Sequence, residues 1–214
     1  MVKLDGVEKR YDDSTNLRFK DYVFRSGESY CILGPSGCGK STLLNLISGR
    51  ALPTSGKVVY GVGTVSRRLF DGPEPDGNKI LDIGYTMQEL LLLEDFSVMD
   101  NMMIVPKADK QSVLLILELL LLSGKTKTKA KNLSGGERQR LAIARNLLRS
   151  FDIALYDEPT ASVNFDLANL IMKLITNEHK KTNNTLIVVT HDERLTGYFD
   201  HVIGFDNLIV GESN

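Results

Sequence analysis

Ser29-Tyr-Cys-Ile-Leu33 runs directly into Gly34-Pro35-Ser36-Gly37-Cys38-Gly39-Lys40-Ser41-Thr42, and these fourteen residues decide how the chain is read. The first five form a short β-rich run. After the three glycines, Leu43, Leu44 and Ile47 recur at helical spacing within Ser41 to Arg50. Strand, glycine-rich turn and helix form the context a phosphate-binding loop needs. Glycines let the backbone approach an anion and turn successive N–H groups inward, while the helix N-terminus adds partial positive charge. Lys40 would reach the β- and γ-phosphates as a point charge, and the Ser41 hydroxyl would ligate Mg²⁺. The competing reading, a glycine turn with only a structural role, does not account for the flanking strand and helix.

Working outward, further β-rich runs occur at 57–60 (KVVY), 80–87 (ILDIGYTM), 153–156 (IALY), 185–190 (TLIVVT) and 201–205 (HVIGF). Near-continuous apolar strands separated by helices predict an α/β core, a parallel sheet covered on both faces. Glu137 to Arg149 and Phe165 to Lys181 read as the covering helices. Ser97 to Asn132 differs: it reads as a helical insertion whose run Val113 to Leu122 is apolar nearly all round. Its surplus apolar surface is expected against the core, or against another protein. The following KTKTKAK, 125–131, reads as a solvated basic connector, and DGPEPDGN, 71–78, as a surface excursion between strands.

Composition agrees with a single large domain. The 214 residues include 26 Lys plus Arg against 27 Asp plus Glu, with 42% hydrophobic residues and 25% charged. This excludes collagen-like, low-complexity and disordered chains. A net charge of −1 supplies no overall attraction to nucleic acid or anionic lipid. Cys31 and Cys38 have neither disulfide-framework nor zinc spacing, so a reduced intracellular chain is expected. The N-terminus lacks a signal-peptide pattern. The longest apolar stretch falls short of the ~20 residues a spanning helix needs, so no direct membrane insertion is expected.

Two other stretches carry chemistry. The strand Ile153 to Tyr156 ends in Asp157 and Glu158. Asp157 there would hold Mg²⁺ through water, leaving Glu158 to orient or deprotonate an attacking water; alone, two acids at a strand end read equally well as a solvated turn. Leu133-Ser134-Gly135-Gly136-Glu137-Arg138-Gln139-Arg140 places a serine and two glycines before an amphipathic helix. That is a second anion site by chemistry, although a simple helix cap is the plainer reading.

Together GPSGCGKST, LSGGERQR and IALYDE followed by PTAS, in this order, make the chain resemble the ATP-binding subunits of ATP-binding-cassette (ABC) transporters over nearly its whole length. The resemblance implies a P-loop NTPase core with a parallel sheet flanked by helices and an N-terminal antiparallel β subdomain. A helical subdomain, about 89–145, would be inserted within one domain covering 1–214. It implies an ATPase using ATP and Mg²⁺. Residues 34–42, with Tyr11 stacked on adenine, would hold nucleotide in one chain, and Ser134, Gly135, Gly136 and Glu137 of a second chain would close over it. Glu158, His191, Gln88 and Lys40 would act in hydrolysis, and Ser41, Gln88 and Asp157 would hold the metal. By themselves His191 and Tyr11 read as ordinary surface and strand residues.

The same resemblance implies two ATP sandwiched between two subunits, a homodimer being the simplest pair. It also implies a separate integral membrane permease docking near Gln88, with apolar residues Met87, Leu90 to Leu93 and Phe96 exposed to receive it, and the chain peripheral at the cytoplasmic face of the membrane. Compact length points to the lipoprotein-release, macrolide-efflux and cell-division types. Asn164 stands where the family usually has an acid, which keeps hydrogen-bonding size and loses charge. The alternatives are a soluble ATP switch without a transporter and a regulatory cassette with weak turnover. The transported substrate and its direction are not legible in the sequence.

Overall fold

The computed structural model describes residues 1–11, 16–62, 65–68, 81–87, 90–106 and 108–210. Along the chain come β1 (Val2–Arg10), β2 (Asn16–Arg18), β3 (Tyr22–Phe24), β4 (Ser29–Leu33), α1 (Lys40–Ile47), β5 (Ser55–Val62), β6 (Val65–Arg68) and β7 (Ile83–Thr86). Then follow α2 (Val98–Met103), α3 (Lys110–Leu119), α4 (Gly135–Leu147), β8 (Ile153–Asp157), α5 (Phe165–Thr182), β9 (Thr185–Thr190) and β10 (His201–Gly204).

One sheet is parallel throughout, in the order β10-β4-β9-β8-β7. Every residue of β8 and β9 is buried, which is why these strands read as unbroken apolar runs and not as alternation. On one face Ile153, Leu155, Ile187 and Val189 pack with Leu43, Leu44 and Ile47 of α1 and with Leu4, Phe24 and Tyr60. On the other, Ala154, Tyr156, Leu186 and Val188 pack with Met102, Leu117, Leu141, Ala144, Ile171 and Met172 of the later helices.

The second sheet is antiparallel, ordered β2-β1-β5-β6 with β3 also on β1. This corrects one expectation: KVVY belongs here, in β5, and not to the parallel sheet. Only Tyr60 of that run is fully buried, the mark of a strand with one covered face. Its hydroxyl donates to the Ile47 carbonyl at 2.6 Å, pinning this sheet beneath the end of α1. A Cβ on Gly56 (φ 71°) would sit 2.0 Å from the Gly6 carbonyl oxygen, so the register shift between β1 and β5 requires glycine there.

Two expectations change in the stretch between β7 and β8, and a third gains its boundaries. The apolar run ends as helix at Leu119; Val113, Leu117, Leu120 and Leu122 enter the core, whereas Leu114, Leu115 and Leu121 are exposed. The KTKTKAK segment is not a free connector. Its Thr126 and Thr128 carbonyls accept from Met99 N–H and Val98 N–H in the first turn of α2, Lys125 pairs with Glu137 at 3.1 Å and Lys131 with Asp95 at 2.7 Å. Leu92, expected to be exposed, is buried in the core; Leu91 and Phe96 beside it are exposed. The loop 71–78 lies outside the described residues.

Candidate nucleotide-binding and hydrolysis site

The ends of β4, β8 and β9 converge, and the phosphate loop starts where β4 stops. Gly34 N–H donates to the Thr190 carbonyl at 3.3 Å, fixing the loop to the end of β9. Gly37 and Gly39 take left-handed backbone angles (φ 81° and 113°), and a Cβ on Gly39 would press within 2.7 Å of Leu17 Cδ1. Among the described residues no side chain caps α1, which leaves the donors of its first turn to an anion. Lys40 is 5% exposed and folds back over the loop, its Nζ donating to the Gly34 carbonyl at 2.6 Å and the Pro35 carbonyl at 2.8 Å. The same ammonium lies 3.5 Å from Glu158 Oε1. Cys38 is partly exposed and Ser36 exposed on this loop; Thr42 Oγ1 is 3.0 Å from the hydroxyl of Tyr11, whose ring is exposed at the mouth under Lys9.

At the tip of β8, Asp157 is buried and lies near the Ser41 hydroxyl; the Tyr85 hydroxyl donates to its Oδ2 at 3.5 Å. Burial pushes its carboxyl above the usual carboxylate range, with the nearby Ser41 hydroxyl pulling the other way and the Glu158 charge adding to the rise. A cation beside it would offset that desolvation. Glu158 follows at φ 49°, a left-handed conformation uncommon for a non-glycine residue. Its Oε2 lies 3.0 Å from His191 Nδ1. Lys40, Ser41, Asp157, Glu158 and His191 are therefore brought together from three different elements, α1, β8 and β9, or the residues just beyond them. Among the described residues no group of three or more His, Cys, Asp or Glu side chains could hold a metal. The oxygen donors at hand, the Ser41 hydroxyl and the Asp157 carboxylate, are hard ligands of the kind Mg²⁺ takes while keeping several waters. Gln88, expected at this metal, lies outside the described residues.

Ser134 to Glu137 stand apart from this cluster. Ser134 Oγ accepts from Glu137 N–H at 3.3 Å, and Glu137 Oε2 accepts from Ser134 N–H at 2.8 Å: a reciprocal cap on α4. The Glu137 carboxylate, expected on nucleotide, is thus turned onto its own helix end and Lys125. The Ser134 hydroxyl hydrogen and the exposed Gly135 remain for an anion. The plain cap and the anion site, alternatives in the sequence, are compatible in this geometry. Among the described residues, neither Ser134 nor Glu137 bonds to the 34–42 loop.

Sequence reasoning passed over the side chains that grip the chain on either side of Gln88. Asn146 of α4 donates to Thr86 Oγ1, Arg145 donates to the Leu91 carbonyl at 2.6 Å, and Arg138 takes Glu94 in a two-pronged pair. Buried Asn101 bonds Leu93 through both its N–H and its carbonyl. Arg138, Arg145 and Asn146 lie at helical spacing on α4, the only signal that could have grouped them. Beside them a cleft of about 300 Å³ is lined by Tyr85, Met87, Leu90, Leu91, Ile104 and Pro106, with Arg145 and Arg149 at its edge. No helix among the described residues is long and apolar enough to cross a membrane.

Comparison with known proteins agrees with this geometry. The family model described as ABC transporter matches residues 18–161. The lipoprotein-releasing system ATP-binding protein LolD of Legionella pneumophila (strain Lens) is 34% identical over 206 residues, covering 91% of this chain and 90% of the relative. LolD of Xylella fastidiosa (strain Temecula1) is 37% identical over 215 residues, covering 95% and 88%. Among solved structures, a dimeric post-hydrolysis state of the ATP-binding cassette MJ0796 bound to ADP and Pi superposes with a TM-score of 0.78 at 29% identity, over 95% of this chain and 94% of that one.

Proposed function

The chain belongs to the ABC transporter family of ATP-binding subunits, and from that premise we propose that it works as one half of a homodimer that binds two ATP, hydrolyses them and drives a separate membrane permease. The observation that carries this reading is the meeting of Lys40, Ser41, Asp157, Glu158 and His191 at one end of the parallel sheet, while Ser134 to Gly136 lie bonded elsewhere. One chain thus supplies both a phosphate cradle and a capping turn suited to a second chain's nucleotide. Residues 34–42 cradle the phosphates, Tyr11 lies against the base, and a partner's Ser134 to Gly136 donate to the γ-phosphate. Lys40 leaves the Gly34 and Pro35 carbonyls to meet the β- and γ-phosphates. Glu158 accepts a proton from the water that attacks the γ-phosphorus as the bond to the β–γ bridging oxygen breaks, giving ADP and phosphate, and His191 holds the γ-phosphate and the glutamate in register. Ser41, Asp157 and Gln88 would hold Mg²⁺, which neutralises charge building on the phosphate oxygens.

The cleft lined by Met87, Leu90 and Leu91, mixed apolar and polar with two arginines in its lining, is suited to a short helix of the permease, and through it the chain sits at the cytoplasmic face of the membrane. Likeness to LolD favours a partner of the lipoprotein-release type. A soluble switch uncoupled from transport finds less support, because these relatives, matched over about nine-tenths of both chains, are subunits of a releasing system.

The test is ATP-dependent dimerisation of Glu158→Gln with Mg²⁺, followed by size-exclusion chromatography with light scattering. A dimer that forms with ATP and disappears in Lys40→Ala supports the paired sites. A monomer at saturating ATP overturns the homodimer.

A further inference from the structure

Gln139 makes a contact that none of the expected roles includes. It lies in α4 three residues after Gly136, so the two share one side of the helix. Its Nε2 donates to the backbone oxygen of Glu158 at 2.6 Å. A Cβ on Gly136 would come within 3.0 Å of the Ser162 backbone oxygen. The start of α4 therefore rests on the segment that leads from Glu158 to Asn164. Because Glu158 has a left-handed backbone, neighbouring groups must hold it there. Its own N–H donates to the Val189 carbonyl at 3.0 Å, and its carbonyl accepts from Ala161 N–H at 3.2 Å. The Gln139 bond is the one that comes from the helix headed by Ser134 to Gly136. Among the described residues Gln139 Oε1 is buried without a partner, and reversing the amide would set oxygen against the Glu158 oxygen, so the donor orientation is fixed.

The geometry points to Gln139 as a positioning residue that couples the two ATP sites of a pair through the interior of one chain. This rests on the paired-site reading above. Ser134 to Gly136 meet the nucleotide of one site. Three residues further along the same helix, Gln139 holds the backbone of the glutamate that serves the other. Nucleotide drawn onto the capping turn fixes α4, and α4 then fixes the aim of the Glu158 carboxylate through its carbonyl. Without this bond each site still binds ATP, but the sites turn over slowly and independently.

Gln139→Met keeps the length of the side chain and removes the donor; Gln139→Glu sets a second oxygen against the Glu158 carbonyl. For the purified full chain and both variants, the melting temperature, the affinity of the monomer for a fluorescent ATP analogue, and the ATP dependence of turnover are measured. The bond predicts a kcat about tenfold lower in Gln139→Met, lower still in Gln139→Glu, with KM moved less than about twofold. The Hill coefficient for ATP, above one in the parent, falls to one in both variants. Unchanged kcat and Hill coefficient overturn the proposal, as does a parent that turns over with a Hill coefficient of one. A melting temperature and ATP affinity that fall together with kcat also overturn it, since a purely structural role would do that. If the parent neither dimerises with ATP nor turns it over, the functional reading fails and the coupling with it.

Discussion

Removing the Asn101 amide should destabilise the helical side of the protein by an amount its bonding network lets one work out. Asn101 is completely buried. Its Oδ1 accepts from Leu93 N–H at 2.9 Å, and its Nδ2 donates to the carbonyls of Leu93 at 3.0 Å, Ser97 at 3.0 Å and Phe96 at 3.4 Å. Those carbonyls have second donors: Phe96 N–H for Leu93, Asn101 N–H for Ser97, and Ala130 N–H for Phe96. In Asn101→Ala, therefore, Leu93 N–H is the group left with no partner. An orphaned donor costs ~1–3 kcal/mol and the other lost bonds a further ~1 kcal/mol, for about 3 kcal/mol altogether. At an unfolding entropy of ~2.1 cal/mol/K per residue, a chain of this length loses about 7 °C of melting temperature. Asn101→Asp gives Leu93 N–H its acceptor back but places an anion against three carbonyl oxygens, and should melt lower than the alanine variant. Circular dichroism melts measure both, while ATP affinity, set chiefly by the phosphate loop and not by Asn101, stays near the parent value. An alanine variant melting within about 2 °C of the parent, or an aspartate variant melting above it, would refute the accounting.

Thiol reactivity should split between the two cysteines. Burial pushes the Cys31 thiol up to about 12 and the residue is wholly inaccessible, so a maleimide at neutral pH labels Cys38, saturating ATP slows that labelling, and both cysteines react after unfolding. Asn164 caps α5 by accepting from Leu167 N–H at 3.0 Å, so Asn164→Asp should keep stability, whereas Asn164→Ala loses about 1 kcal/mol in urea titrations. If Asn164→Asp also leaves the ATPase rate and its stimulation by the membrane partner unchanged, the missing acid does not weaken coupling. Ser29 donates to the Asp200 carboxylate from its N–H at 2.9 Å and its hydroxyl at 2.6 Å, holding that carboxyl below its ordinary value. A lowered folded value stabilises above 3.8 and is lost as pH falls through that value and below it. Asp200→Asn should thus lower the urea midpoint at pH 6 by an amount worth under about 1 kcal/mol, and the deficit should close toward pH 3.

What the sequence makes legible is local. The phosphate loop announces itself because three glycines, a lysine and a serine must fall within one run of eight residues to surround phosphate. The strands β8 and β9 do so because burial on both faces leaves no polar alternation. The assignment of KVVY to the wrong sheet has a physical cause: a short apolar run records that it is half-covered but not which strand it pairs with. The KTKTKAK segment looks solvated because its partners, Glu137 and Asp95, lie distant in sequence. Leu92 differs from Leu91 only in the side of the backbone it leaves from. Gln139 stands in plain view within LSGGERQR, yet its acceptor is a backbone oxygen nineteen residues on, and side-chain pattern carries no record of such a bond.

The strands β8 and β9 turn opposite faces to two separate cores. Neighbouring residues on these strands, such as Leu155 and Tyr156 or Ile187 and Val188, look into different apolar clusters. The two strands form a partition wall between a nucleotide-side chamber and a helix-side chamber. Substitutions in one chamber cannot be repaired by repacking the other, because the wall's backbone ladder lies between them. The helix side can loosen while the wall stays closed, so its amides should exchange with solvent in one cooperative unit, the nucleotide side in another, and those of β8 and β9 last of all.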